Sequence, residues 1–336
     1  MSALPVLVLQ FVAISAVILW TGVRLSRYGD MIAEKTGVGG TFVGLLLMAG
    51  VTSLPELITG GSAVALYGAR DLAAGDAIGS CMFNLLILAA LDVRHELPLA
   101  TRIHQGHVLT AAFGIVQLSL VALAIVAGSH APSIGWIGLH SLVFIGLYAL
   151  SMRTIFVFER TRLGAVSREL AAQESYTHIS VRKAVLLYAV TAAVLVAAAG
   201  YLPALGEALA RETGLGSSFV GSLLIAATTS MPEIVVSAAA ARMGALDMAV
   251  ANLFGSNLFN VAVLGIDDIV DVHGPMLQAV APDHLVTLAA AIMMTAVAII
   301  GLTFRAGRKR FRLSWDSITI VVIYVAATVL LRAVSR

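Results

Sequence analysis

Two glutamates stand in apolar stretches behind the same short run of hydroxyls: VTSLPE at 51–56 and TTSMPE at 228–233. Thr52 and Glu56 are four residues apart and Ser53 and Glu56 three, so on a helix all three share one face. Thr229, Ser230 and Glu233 repeat the pattern. Pro55 and Pro232 have no amide proton and displace the carbonyl four residues back, those of Val51 and Thr228. The helix is expected to kink or break there and release backbone oxygens. A membrane tolerates released oxygens where they line a cavity or contact protein. Further along, Ser80 and Asn84, and likewise Ser256 and Asn260, are spaced four apart and form a polar stripe on an apolar helix. Gly79 and Gly255 precede these stripes and permit close helix approach.

These donors are all oxygens: two carboxylates, several hydroxyls, amide oxygens and freed carbonyls. Hard cations suit such a set, and Ca²⁺ takes about 6–8 oxygens in flexible geometry. The motifs contain no His or Cys cluster, which disfavours soft transition metals. They also contain no Lys or Arg to pair with the glutamates. An ionised carboxylate at the bilayer centre costs roughly 3 kcal/mol or more. The two glutamates must therefore bind cations, bind protons or stay neutral. One divalent ion neutralises both, and monovalent ions or protons must replace it when it leaves. That requirement is the physical basis of antiport. The plainer alternative is packing: a protonated glutamate at a helix interface, and interhelical hydrogen bonding by Ser80, Asn84, Ser256 and Asn260. Cys81 reads as a packing residue. As the sole cysteine, it leaves no intrachain disulfide to form.

The elements that must position these groups follow from composition. Hydrophobic residues make up 59% of the 336, charged residues 12%, and mean hydropathy is +0.96. A soluble domain carries about 25% charged residues, so the chain is an integral membrane protein. The net charge of +2 suggests no nucleic-acid partner. A span needs about 20 apolar residues. That ruler gives ten segments, near 4–22, 40–67, 72–92, 107–128, 134–152, 183–203, 216–241, 247–266, 281–304 and 315–332. None alternates like a strand, so the expected fold is an all-α, polytopic bundle rather than a barrel. The first segment reads as a span and not a cleaved signal.

Basic residues orient the bundle. Seventeen of the 21 lie in the odd-numbered loops and their borders, among them Arg24, Arg27, Arg94, Arg153, Arg242 and Arg305. Those loops are expected to be cytoplasmic and both termini extracytoplasmic, with the cell membrane as the location. The eighth loop carries Asp267, Asp268, Asp271 and Asp283. It reads as a solvated loop, with a cation-attracting vestibule as the sharper alternative. The eight histidines fall mostly in or near loops and receive no role.

The chain also repeats itself. FVGLLLMAGVTSLPE at 42–56 matches FVGSLLIAATTSMPE at 219–233 in ten of fifteen positions. GSCMFNLLIL at 79–88 matches GSNLFNVAVL at 255–264, with the offset along the chain shorter by one position. Span two runs inside to outside and span seven the reverse, so the expected architecture is two inverted repeats of five helices. The first covers 1–152, with its motifs at 40–92; the second covers 183–336, with its motifs at 216–266. A basic cytoplasmic linker at 153–182 joins them. Inverted repeats place substrate near the midplane on discontinuous helices.

The motif pairs TSLPE with GSCMFN and TSMPE with GSNLFN resemble the α-repeats of the cation/Ca²⁺ exchanger superfamily, the sodium/calcium exchanger family. The resemblance extends over essentially the whole chain. It implies that Glu56 and Glu233 are the central Ca²⁺ ligands, joined by Thr52 and Thr229. It further implies that Thr52, Ser53, Ser80, Thr229, Ser230 and Ser256 supply Na⁺ and Ca²⁺ oxygens, with the carbonyls of Ala49 and Ala226. Asn84 and Asn260 would complete the site, and spans one and six would slide for alternating access. Val51 and Thr228 depart from a glycine common before the Thr-Ser pair. Asp76 stands where Asn is usual, its counterpart being Asn252, and is a possible auxiliary residue at one mouth of the pathway. Asn260 replaces an aspartate of K⁺-dependent members, which argues against K⁺ co-transport. The Thr-Ser pair leans towards Na⁺, away from the motif of the proton-coupled branch.

The expected activity is therefore Ca²⁺/Na⁺ antiport. Ca²⁺/H⁺ antiport, with this or another divalent ion, is the alternative, and a cation channel is the rival of a different class. An enzyme is not expected, because the motifs offer no Ser/His or Asp/Asp arrangement. The expected partners are small inorganic cations and the bilayer, with no cofactor and no obligate protein partner.

Overall fold

A computed structural model describes residues 4–36, 50–93, 97–171, 180–306, 309 and 312–335. It is helical apart from a short β-hairpin, β1 Ser133–Ile134 with β2 Ile137–Gly138. The principal helices are α1 Leu4–Thr36, α2 Leu54–Tyr67, α3 Arg70–Asp92, α4 His107–Ala127, α5 Leu139–Ala171 and α6 Val181–Thr213. They continue with α7 Ser217–Thr229, α8 Met231–Arg242, α9 Leu246–Val270, α10 His284–Phe304 and α11 Trp315–Val334.

Eight of these are long and apolar enough to cross a membrane: α1, α3, α4, α5, α6, α9, α10 and α11. A ninth candidate is the pair α7 and α8, bent by 44° at Ser230. Of the span expected over 40–67, residues 40–49 lie outside the described residues, and α2 covers its later part. The fifth span starts later than expected, at Leu139, because the hairpin takes up 133–138. The helix of that span runs on through Ala171, into the stretch expected to be a linker.

α3 and α9 form the centre and pack against each other. Both are buried along most of their length. Around them stand α2, α4, α7, α8 and α10, while α1 pairs with α6 at the periphery. Large apolar side chains on α1, α5, α6 and α11 remain exposed, as a face towards lipid requires. The central helices approach closely because they carry small residues. A Cβ on Gly75 would lie 2.9 Å from the Ser222 amide nitrogen and 3.0 Å from the Gly221 Cα. With no hydrophobic drive between helices in lipid, such backbone contact is what holds a bundle together.

Carboxylates at the helix ends tie the bundle, and they do so in matched pairs. Asp92 accepts the amides of Leu99 and Ser314, each at 2.7 Å, and pairs with Lys309 at 2.8 Å. Asp268, its counterpart in the second repeat, accepts the amides of Met276 at 2.5 Å and Gly138 at 2.8 Å, and the Ser141 hydroxyl at 2.6 Å. Asp71 accepts the Ala281 amide at 2.7 Å and lies 3.1 Å from His284 Nε2. Asp247, the counterpart of Asp71, accepts the His104 amide at 2.6 Å and lies 2.9 Å from His107 Nε2. Two histidines to which the sequence assigns no role thus face aspartates across the bundle.

The expectation of a solvated acidic loop fails. Asp267 and Asp268 belong to α9, and both are fully buried. Asp271 is buried against Arg70 in a two-pronged ion pair. Asp283, partly buried, accepts the Ser335 hydroxyl at 2.5 Å. Buried carboxylates ordinarily find hydrogen-bond partners: two amides and a hydroxyl serve Asp268, and Arg70 with the His273 amide serves Asp271.

Candidate functional site

Each proline sits in the first turn of a new helix. α2 opens at Leu54-Pro55 and α8 at Met231-Pro232, where a missing amide proton costs nothing. Ser53 and Ser230 occupy the break, at φ −91°, ψ 13° and φ −81°, ψ 6°. Glu56 and Glu233 fall in the first turn, at the positive ends of the two half-helix dipoles. A π-helical turn at Gly221–Ile225 precedes the second break, a distortion frequent at functional sites.

A serine at a helix start ordinarily caps its own helix. Ser53 and Ser230 make no such cap. Each donates instead to the glutamate of the other motif: Ser53 Oγ to Glu233 Oε1 at 3.1 Å, and Ser230 Oγ to Glu56 Oε1 at 3.0 Å. The threonines cross over in the same way. Thr229 donates to Asp76 Oδ1 at 2.7 Å, and Thr52 to Asn252 Oδ1 at 3.4 Å. Asp76 and Asn252 are matched positions of the two repeats. Ser256 adds a bond to Glu233 Oε1 at 3.3 Å.

The fold thus gathers Thr52, Ser53, Glu56, Asp76, Ser80, Asn84, Thr229, Ser230, Glu233, Ser256 and Asn260 into the interior, all nearly or completely buried. Asp76 stands within this cluster and not at a mouth. Ala226 is buried, and its carbonyl is engaged by the Ser230 amide at 3.0 Å and the Thr229 hydroxyl at 3.3 Å. Ala49 lies outside the described residues.

Sequence reasoning overlooked Asn257. Its Oδ1 accepts from Asn84 Nδ2 at 2.9 Å, and its Nδ2 donates to the Cys81 carbonyl at 3.2 Å. Cys81 and Asn257 are matched positions, and Cys81 Sγ in turn lies 3.7 Å from the Asn257 carbonyl. The available signal was its place inside GSNLFN, directly after Ser256.

Several buried oxygens in the cluster have no hydrogen-bond partner among the described residues: Glu56 Oε2, Glu233 Oε2, Asp76 Oδ2, Asn84 Oδ1 and Asn260 Oδ1. Such atoms are costly unless something binds them. Among the described residues, no group of three or more His, Cys, Asp or Glu side chains is arranged to hold a metal ion. A cation here would draw on mixed carboxylate, hydroxyl and amide oxygens, which suits a hard ion.

A helical membrane bundle with a span bent at Ser230 and a buried carboxylate site beside the bend has the construction of an ion-coupled transporter. The chain belongs to the sodium/calcium exchanger protein family, whose model matches residues 6–157 and 183–332. It is 25% identical over 320 residues to a protein named putative antiporter CaxA, of Alkalimonas amylolytica, covering 89% of this chain and 91% of that one. Its fold is similar to that of the H⁺/Ca²⁺ exchanger CAX, with a TM-score of 0.72 at 14% identity, covering 98% of this chain and 85% of that one. It is also similar to the sodium-calcium exchanger NCX_Mj, with a TM-score of 0.59 at 20% identity, covering 99% of this chain and all of that one.

Proposed function

We propose that this exchanger-family antiporter trades Ca²⁺ for Na⁺ by alternating access, through ten spans arranged as two inverted repeats of five, with both termini extracytoplasmic. The observation that carries the reading is the reciprocal pairing of Ser53 with Glu233 and Ser230 with Glu56. It supports a two-fold relation between the repeats, with one cation held between both glutamates. Glu56, Glu233, Thr52 and Thr229 take the Ca²⁺. Ser53, Ser230, Ser80, Ser256, Asn84 and Asn260, with the carbonyls of Ala49 and Ala226, supply the remaining oxygens.

The two glutamates neutralise a divalent ion. When it leaves, the emptied pair repels itself and is poorly solvated, so reorientation requires replacement cations. The peripheral pair α1 and α6 is the moving element of this proposal. Ser15 on α1 touches Thr228 beside the break, hydroxyl to hydroxyl at 3.0 Å, which supports a link between that pair and the site.

A second reading, Ca²⁺/H⁺ exchange, is favoured by Asp76. This third buried carboxylate of the cluster leaves one negative charge that a proton would balance. The test is ⁴⁵Ca²⁺ uptake into proteoliposomes loaded with Na⁺ and diluted into Na⁺-free buffer, beside an arm with only a pH gradient. Uptake that requires internal Na⁺ is the expected result. Uptake driven by the pH gradient alone would replace it with the proton reading, and flux without any counter-ion would indicate a channel.

A further inference from the structure

Asp267 is a buried carboxylate outside the glutamate cluster. It lies on α9, seven residues beyond Asn260, and is fully buried. Neither of its oxygens has a hydrogen-bond partner among the described residues. Its neighbour Asp268 is saturated by two amides and a hydroxyl. The nearby Asp271 is paired with Arg70.

The Asp267 carboxylate is aimed at α2, into space that glycines leave open. A Cβ on Gly60 would fall 3.0 Å from Oδ1 and closer still to Oδ2, and one on Gly61 would fall 3.8 Å from Oδ1. Gly60 is four residues beyond Glu56 on the same face of α2, about 6 Å along the axis.

This feature breaks the pairing seen elsewhere. The first-repeat position matching Asp267 is Leu91, and the second-repeat position matching Gly60 is Ser237. The Ser237 hydroxyl is already engaged with the Ala249 carbonyl at 3.4 Å and Asn252 Nδ2 at 3.2 Å. An unpartnered carboxylate therefore sits on one side of the centre only. An ionised carboxylate does not persist there alone, so it holds a proton or a monovalent cation. A divalent ion needs more oxygens and more charge than one aspartate offers.

We propose that Asp267 is a second station for the monovalent counter-ion, Na⁺ or H⁺, one helical turn from Glu56 on the Tyr67 side. This rests on the antiport reading. The ion held at Asp267 is exchanged along with those at the glutamates and adds one charge to the coupling.

The first test is the membrane potential at which net ⁴⁵Ca²⁺ flux vanishes in proteoliposomes with fixed Na⁺ and pH gradients. Asp267→Asn should lower the coupling by one monovalent ion per Ca²⁺ and leave Ca²⁺ half-saturation within twofold. A weaker dependence of the null potential on the Na⁺ gradient identifies Na⁺ as the occupant, and a weaker dependence on the pH gradient identifies H⁺. An unchanged null potential and unchanged counter-ion dependence overturn the proposal. Wild-type protein with no counter-ion-driven uptake overturns the antiport reading itself.

The second test needs no variant. Dicyclohexylcarbodiimide, which modifies buried protonated carboxyls, is mapped by peptide mass spectrometry on wild-type protein in liposomes. Modification of Asp267 that is suppressed by added Na⁺ at fixed pH, or by raised pH alone, is expected. No modification, or modification indifferent to both, refutes the station.

Discussion

Removing the Ser230 hydroxyl tests whether the glutamates are held from across the repeat boundary. Ser230 Oγ donates to Glu56 Oε1 at 3.0 Å, with both residues buried. A hydrogen bond to a charged group contributes about 1.5–3 kcal/mol, or roughly tenfold to a hundredfold in a binding constant. Ser230→Ala should therefore weaken Ca²⁺ binding about tenfold or more. Ser53→Ala removes the matching bond to Glu233 Oε1, at 3.1 Å, but Ser256 remains a donor to that oxygen at 3.3 Å. Its effect should fall at the low end of the range. The assay is equilibrium ⁴⁵Ca²⁺ binding to purified protein in detergent, which needs no turnover. A double-mutant cycle supplies the pairing: in a Glu56→Gln background, Ser230→Ala should add little, whereas Ser53→Ala keeps its effect. The reverse should hold in a Glu233→Gln background. If each serine couples instead to the glutamate of its own motif, the crossed arrangement is wrong. If neither single variant changes affinity by threefold, the hydroxyls do not hold the ligands.

Glu56→Gln and Glu233→Gln should each abolish exchange while leaving a folded, monodisperse protein, measured by flux and size-exclusion chromatography; retained Ca²⁺ transport in either would refute the site. Lys309→Met strands Asp92, whose side chain is fully buried, and breaking a buried pair costs about 3–5 kcal/mol; a thermal unfolding midpoint equal to wild type would contradict this. Burial opposes ionisation of Asp271, but the Arg70 guanidinium and the His273 amide outweigh it and hold the carboxyl below its ordinary value. The stability this contributes is present above the unfolded-state value of about 3.9 and is lost as pH falls through the lower folded value. Arg70→Met should flatten that acid limb in unfolding measured against pH, and an unaltered limb would exclude the pair as its source.

Much of the site was legible because helical periodicity is local. Thr52, Ser53 and Glu56 share a face by spacing alone, and the prolines mark the breaks. Hydropathy over a span's length finds spans without any tertiary knowledge, and a repeat at a near-constant offset announces a second copy of whatever the first one does. The same local rules placed Pro55 and Pro232 at helix discontinuities, and the structure refines this by making each the first turn of a new half-helix.

What only the tertiary structure decided are contacts made across large sequence separations. Helical spacing says that Ser53 and Glu56 face one way; it cannot say that Ser53 reaches Glu233, because that depends on how two helices cross. Asp268 reads as a loop residue until Gly138, Ser141 and Met276 are folded onto it. Asn257 is one polar residue among several until Asn84 and the Cys81 carbonyl are brought against it. Asp267 becomes distinctive when Gly60 and Gly61 close over it and no donor arrives among the described residues. The sequence by itself determined a duplicated helical membrane protein with paired acidic motifs, since length, hydropathy and periodicity are properties of contiguous residues. Which hydroxyl holds which carboxylate, and which carboxylate is left without a partner, are properties of packed surfaces and exist only in the folded bundle.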